Sequence, residues 1–439
     1  MTRPDDVRLD ALPLRHSGDL DPILERIGPA RLVGIGEASH GTHEFYTWRA
    51  ELTRRLIVEK GFAFVAVEGD WPDCHAVHCS VSAAPGAPES REVLQAFERW
   101  PAWMWANEEV LAFTGWLRKH NEALPPTQRI GFHGLDVYSL FTSLHAVLDY
   151  LAEHEPAHLP TAHQALRCFD PYGEDPQSYA FASRLAPQSC EAEVVALLRK
   201  LRRPDHTPPD GGGVLDDRYV AEQNAAAAAG AERYYRAMVR GGPESWNVRD
   251  CHMVDTLDRL LPRYGAADDT PAAKAVLWEH NTHIGDARAT DMAAAGLLNV
   301  GQLMRERHGR EHVVLVGFGT HSGDVIASPR WGGPVQQMPV PSARPGSLED
   351  LLHEATGGTD AAFVLGSGDG SSRWSNARRP HRAIGVVYHP EAERHGNYVP
   401  TVLDERYDAF LHCDRTTPLR PLHPIEPADV EPETYPTGE

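Results

Sequence analysis

Two glutamates and three histidines stand at positions where acid/base chemistry is possible: Glu37, His40, Glu68, His280 and His283. Glu37 and His40 belong to Glu37-Ala38-Ser39-His40, directly after the short, glycine-punctuated apolar run 31–36. Glu68 closes the apolar run 63–67, and His280 and His283 follow the run 274–278 after Glu279. A histidine titrates near neutrality and can take a proton from water, while neighbouring carboxylates fix its tautomer and stabilise its charged form. Arg49, nine residues beyond His40, can hold Glu68, an oxyanion or a substrate carboxylate. In Trp246-Asn247-Val248-Arg249-Asp250, Asn247 and Asp250 have the spacing of a helix-capping pair. A cation in a first helical turn opposes the helix dipole, so Arg249 asks for another reason to be there, such as a ligand.

For these side chains to act together, the elements carrying them must reach one edge. Runs 31–36 and 63–67 read as strands. Between them Phe45, Trp48, Leu52 and Leu56 recur at helical spacing, and Gly61 stands where a left-handed cap is expected. Run 129–135 is a third strand ending on His133 and Asp136; runs 274–278 and 312–317 are two more, the last leading to His321. Helical spacing over 287–307 links these two, and runs 361–365, 383–388 and 407–412 would complete the sheet. Open α/β sheets bind ligands beyond the carboxyl ends of their strands, and right-handed crossovers put parallel ends on one edge. The fold expected is therefore α/β, with a mostly parallel central sheet flanked by helices. His43, His133 and His321 read as structural or peripheral.

From 141 to 270 strand-like runs disappear, and helical spacing dominates 144–151, 191–201, 215–239 and 248–261. This predicts a helical lobe inserted into the core, dividing the chain into core 1–140, lobe 141–270 and core 271–439. Segments 170–176, 204–213 and 241–243 are its Pro/Gly linkers. The stretch 92–120 reads as helix and carries Trp100, Trp103, Trp105 and Trp116. Trp103 and Trp105 are candidates for a substrate-pocket wall, against the plainer reading of core packing.

The chain of 439 residues carries 42 Lys+Arg against 62 Asp+Glu, a formal charge of -20, which argues against nucleic acid or an anionic membrane as partner. No apolar run approaches the ~20 residues that span a bilayer, and a cytoplasmic location is expected. The six cysteines show no paired zinc spacing and are expected as free buried thiols. Gly34-Ile35-Gly36 lacks the remainder of a dinucleotide fingerprint and reads as a tight turn. Neither a phosphate-binding loop motif nor a G-x-S-x-G nucleophile elbow occurs.

Glu37-Ala38-Ser39-His40, Glu44-Phe45, Arg49, Glu68 and His280-Asn281-Thr282-His283-Ile284 resemble the erythromycin esterase family. Asp70 to Asp73 (DWPD), Trp103 to Trp105 (WMW), Gly173 to Gln177 (GEDPQ), WNVRD at 246–250 and GDARATDM at 285–292 resemble its large branch of homologues, often labelled succinoglycan biosynthesis proteins. The resemblance implies an α/β core with a helical lobe, and hydrolysis of a macrolide lactone ester without metal or other cofactor. It assigns the functional roles to Glu37, His40, Arg49, Glu68 and His280, with His40 as the base that activates water. His283, Arg249, Trp103 and Trp105 are expected to meet the substrate, a small-molecule ester or lactone. Because the chain sides with the homologues, the substrate need not be a macrolide. Three alternatives stand beside hydrolysis: a transferase or cyclase acting on a natural-product or polysaccharide intermediate, a metal-dependent hydrolase, and a binding protein whose Arg49, Arg249 and Arg288 hold an anionic or sugar ligand.

Overall fold

In the computed structural model, which describes residues 4–185, 189–202, 215–265, 273–366 and 374–424, the strands follow one another in the chain as β1 (Leu12–Pro13), β2 (Leu32–Ile35), β3 (Phe64–Asp70), β4 (Gly131–Asp136), β5 (Ala275–Trp278), β6 (Val313–Ala327), β7 (Gln336–Val340), β8 (Ala361–Val364), β9 (Arg379–Arg382), β10 (Tyr398–Thr401) and β11 (Ala409–Thr416). A nine-stranded sheet has the order β1-β8-β11-β6-β2-β5-β3-β4, with β7 paired to β6, while β9 and β10 form a separate hairpin. From β11 to β4 all pairings are parallel; β1, β8 and β7 join antiparallel. The central strands β2, β3 and β5 are buried along their whole length, which is why they read as continuous apolar runs and not as alternating ones. Each large apolar side chain so buried stabilises the fold by about 1.5–3 kcal/mol.

The helix His43–Lys60 turns Phe45, Tyr46, Arg49, Leu52 and Leu56 onto the sheet, and Gly61 closes it at φ 70°, ψ 38°. Between β4 and β5 every described element is helical, from Leu140–His154 through Asp217–Met238 to Glu244–Tyr264. The segment 204–213, expected as a linker there, lies outside the described residues. Among the described residues no helix is long and apolar enough to cross a membrane.

Several expectations are corrected. The stretch 92–120 is broken: a helix Ser90–Gln95, a single turn Ala102–Met104 after Pro101, and a helix Glu108–Glu122 capped by Asn107, whose side chain accepts the Val110 N–H. Segment 287–307 is likewise two short turns and then a helix Val300–His308, because Asn299 caps a fresh start. Run 383–388 forms no strand of the sheet and makes only single bridges, Ile384 to Ser39 and Val387 to Ser328. Gly34 and Ile35 end β2 and Gly36 follows it directly, its N–H donating to the Val316 carbonyl, so the three form no tight turn. The glycines permit close approach: a Cβ on Gly34 would come within 2.9 Å of Ile284 and one on Gly36 within 2.1 Å of Asn281. Cys168 and Cys190 are joined in a disulfide, tying two helices of the 140–264 block, while Cys74, Cys79, Cys251 and Cys413 are free. Sequence spacing carries no signal for that pair, whose partners are 22 residues apart and meet only once the helices pack.

Candidate active site

The strand order creates the site. β5 enters the sheet between β2 and β3, so the turn after it is inserted between Glu37 and Glu68. Two backbone hydrogen bonds fix it there: His280 N–H donates to Glu68 Oε2 at 2.8 Å, and Asn281 N–H donates to the Glu37 carbonyl at 2.8 Å. The short helix Asn281–Ile284 starts at this point with His280 as its N-cap, the ring Nδ1 accepting from Thr282 N–H at 3.3 Å. That acceptor role puts the proton of the neutral ring on Nε2. Burial and the nearby His40 and His283 hold the His280 pKa well below the usual histidine range, so the ring is neutral at physiological pH. Its Nε2 is buried without a hydrogen-bond partner among the described residues.

Beside it, Glu37 Oε1 faces His40 Nδ1 at 2.9 Å, and the His40 and His280 ring centroids are 4.8 Å apart. A carboxylate at Nδ1 keeps the proton there and leaves the lone pair of the neutral ring on Nε2. The other oxygen, Oε2, is 3.1 Å from Arg49 Nη2. Arg49 is fully buried, with its guanidinium 4.2 Å from the Tyr46 ring centroid and 5.0 Å from that of Trp278. Its partner is thus Glu37 and not Glu68, and it stands behind the site, outside the cavity wall. The helix His43–Lys60 has Thr42 at its N-cap without a side-chain cap bond, so Ser39 and Thr42, which contact each other, do not cap it.

Glu68 is held by a second group of residues. Arg249 Nη2 donates to Glu68 Oε1 at 2.7 Å and to Asp136 Oδ2 at 2.8 Å, and its Nε donates to Asp136 Oδ1 at 2.9 Å. Burial works against the charged form of Glu68, but His283, Arg249, His40 and the His280 N–H outweigh it and hold the carboxyl far below the usual range. Asp250 is no capping residue: the helix begins at Glu244, and Asp250 places Oδ1 and Oδ2 at 2.9 and 3.0 Å from His283 Nδ1. Asn247 instead ties the helix to 296–298, accepting the Leu298 N–H and donating to the Gly296 carbonyl. Burial lowers the His283 pKa, yet Asp250 and Glu68 raise it more, to about 9. The 3.2 Å approach of Arg249 Nη1 to His283 Nε2 is a hydrogen bond only while that ring is neutral. Glu279, buried behind them with neither oxygen partnered among the described residues, is pushed well above the carboxylate range and stays protonated.

These groups open on a cavity of about 880 Å³ lined by His40, Glu68, Asp136, Arg249, His280 and His283 at its polar end. Its other walls are mainly apolar, among them Trp105, Trp246, Met292, Leu297, Trp331 and Val387. Trp105 also donates from Nε1 to the Glu68 carbonyl at 3.1 Å. Trp103 does not line the cavity; it packs into the core behind it. Arg288 is turned away onto Asp286 and Glu306. His133, His43 and His321 stand elsewhere: His133 stacks on Trp71, His43 bonds Glu109 at 2.6 Å, and His321 stacks on His353. Sequence reasoning missed Asp250, assigned to a cap, and Asp70, which ends β3, pairs with Arg99 and lines the same cavity. The i, i+3, i+4 spacing of Trp246, Arg249 and Asp250 puts all three on one helix face and could have signalled the former.

Comparison with known proteins bears on the family and the fold. The erythromycin esterase family profile matches residues 57–416. Erythromycin esterase type II of Escherichia coli is 29% identical over 119 residues, an alignment spanning 27% of this chain and only 26% of that protein. A crystal structure of a succinoglycan biosynthesis protein superposes with a TM-score of 0.76 at 22% identity, covering 96% of this chain and 98% of that one. A Bacillus cereus protein gives a TM-score of 0.74 at 18% identity, with 96% and 98% covered. An erythromycin esterase variant, EreC in its open conformation, gives 0.62 at 16% identity, with 92% and 95% covered. Likeness at these identities is likeness of fold, and the profile match over most of the sequence carries the assignment: the chain belongs to the erythromycin esterase family, which points to a hydrolase-type activity.

Proposed function

We propose that the protein hydrolyses a bulky ester or lactone, using His40 as the base that activates water. The observation that carries this reading is the Arg49–Glu37–His40 chain ending in the large cavity: a buried arginine holds a carboxylate, and the carboxylate holds the Nδ1 proton of a histidine. His40 Nε2 takes a proton from water as the oxygen attacks the carbonyl carbon, and Glu37 stabilises the imidazolium that forms. The neutral His280 carries its Nε2 proton beside His40 and donates it as a hydrogen bond to the developing oxyanion. Collapse of the tetrahedral intermediate breaks the C–O bond, and the leaving alkoxide takes up a proton. The products together contain the substrate plus one water.

The walls favour a large, mainly apolar substrate. The polar groups at the cavity surface include Glu68, Asp70, Asp73 and Asp136 against Arg99 and Arg249. An excess of carboxylates disfavours an acidic glycan and favours a neutral or basic molecule. The same balance weighs against an anion-binding role, since Arg49, Arg249 and Arg288 each face carboxylates.

Mass spectrometry of a panel of macrolides, simpler lactones and esters incubated with wild type and His40→Ala tests the reading. Wild type adds one water to at least one class, and His40→Ala slows this by about 10²–10⁴-fold with an unchanged circular dichroism spectrum. A folded His40→Ala protein that turns over at the wild-type rate, or a product bearing a grafted group and no added water, overturns it.

A further inference from the structure

The helix Glu244–Tyr264 reaches into the site from the helical block, and it brings more than a counter-ion for Glu68. Trp246 and Asp250 enclose His283 on two sides. The Trp246 ring lies parallel to the imidazole, 5° between planes and 4.4 Å between centroids, and is itself fixed by Nε1 donating to the Leu298 carbonyl at 2.7 Å. Asp250 is fully buried and meets the ring edge with both oxygens, while its Oδ2 also accepts the Val300 N–H at 3.0 Å. Nδ1 thus points at a carboxylate and must carry a proton, which leaves Nε2 between Glu68 Oε1 at 3.5 Å and Arg249 Nη1 at 3.2 Å.

We propose that Asp250 and Trp246 are the positioning residues that hold His283 with Nδ1–H on Asp250 and Nε2 toward Glu68, making it a fixed cation at the cavity wall. The charges that face the ring support the cationic form. Asp250 and Arg249 come from the helix, Glu68 from β3, Glu279 and His280 from the end of β5, and Asp136 acts through Arg249. Glu279 is protonated and His280 neutral, so three carboxylates face one guanidinium until His283 takes a proton. In the proposed hydrolysis, on which this one point rests, His283 is the proton donor for the leaving alkoxide. His40 then releases to solvent the proton it took from water and His283 takes one up, so each cycle closes.

The pairing can be read without any substrate, by NMR titration of protein labelled with ¹⁵N-histidine, with the His283 resonances identified by their loss in His283→Gln. In wild type His283 stays protonated through neutrality. In Asp250→Asn its midpoint falls by about two pH units or more. Asp250→Glu restores most of the difference, and Trp246→Leu changes the Nδ1 and Nε2 shifts while moving the midpoint by less than about one unit. An unchanged His283 midpoint in Asp250→Asn overturns the proposal. Should that variant fail to fold, judged by near-ultraviolet circular dichroism, His283 shifts in both Asp250→Glu and Trp246→Leu identical to wild type overturn it equally. Running the same variants on the ester panel keeps the two readings apart. No hydrolysis by wild type with a lowered midpoint in Asp250→Asn removes the hydrolase and keeps the pairing; hydrolysis with an unmoved midpoint does the reverse.

Discussion

Two groups of histidines occupy neighbouring parts of the sheet and have opposite characters. At the carboxyl ends of β2, β5 and β3, His40 faces Glu37 and His283 faces Asp250, each ring edge meeting a carboxylate at 2.9 Å. On the face of β4 and the helix Trp71–Val81, His133 and His78 meet aromatic rings instead. Their centroids are 4.6 Å apart, Trp71 stacks on His133 at 5.7 Å, and Tyr264 shares a hydrogen bond with His133 Nε2 at 2.5 Å. Without a carboxylate partner, burial governs and the neighbouring histidines add to it: His78 is driven down to about 3 and His133 well below the ordinary value. Between His283 and His78 the acids that meet the ring edge decide whether the charged form survives desolvation. His280 lies between the two cases, neutral like His78 but set inside the carboxylate cluster.

The sharpest way to break the contrast is to make the first group resemble the second. Glu37→Gln removes the acid from His40 while keeping the shape, and turnover of whichever ester the panel identifies is expected to drop by about 10²–10⁴-fold. Wild-type rates in Glu37→Gln would show that the carboxylate is dispensable. Arg49→Met takes the guanidinium from between Tyr46 and Trp278 and strips buried Glu37 of its one ion-pair partner besides His40 among the described residues. Urea unfolding should register a loss of about 3–5 kcal/mol, because a carboxylate abandoned in the interior keeps its full desolvation penalty.

A smaller effect separates the groups by pH. The folded pKa of His78, about 3, lies below the ordinary 6.5, so the unfolded chain binds the proton first. Its contribution to stability is complete above 6.5 and is lost as pH falls below that value. His283 has the opposite sign: raised to about 9, it contributes fully below 6.5 and its contribution is lost as pH rises through 9. Urea unfolding measured across this range should show His78→Phe flattening the acid limb by about 2 kcal/mol near pH 5, with the alkaline limb untouched. Asp250→Asn should flatten the alkaline limb alone. Both substitutions acting on the same limb would erase the distinction drawn between the two groups.

Much of the sheet was legible because strands covered on both faces write continuous apolar runs. β2, β4, β5 and the first part of β6 lie within a residue or two of those runs, and β3 runs three residues past its own. The features that escaped were of other kinds. Run 383–388 is apolar because it borders the cavity, as Val386 and Val387 do, and not because it is a strand. The helix expected over 92–120 ends at Gln95, and after Pro101 the chain makes a turn that carries Trp105 to the cavity and leaves Trp103 in the core. Arg49 could be picked out by its spacing from His40, but spacing gave three possible partners and none was Glu37.

What the sequence by itself determined is therefore the list of chemically capable residues and the fact that strands deliver most of them. Residue type and strand-end position are local properties, and they survive in a linear reading. The insertion of β5 between β2 and β3 belongs to the tertiary structure alone, and it is what puts His280 within hydrogen-bonding distance of Glu68 and beside His40. The recruitment of Arg249 and Asp250 from a helix more than one hundred residues after Asp136 has the same character. Their charges were visible, but an ionisable group's behaviour is set by what lies within a few ångströms of it, and only packing decides that distance.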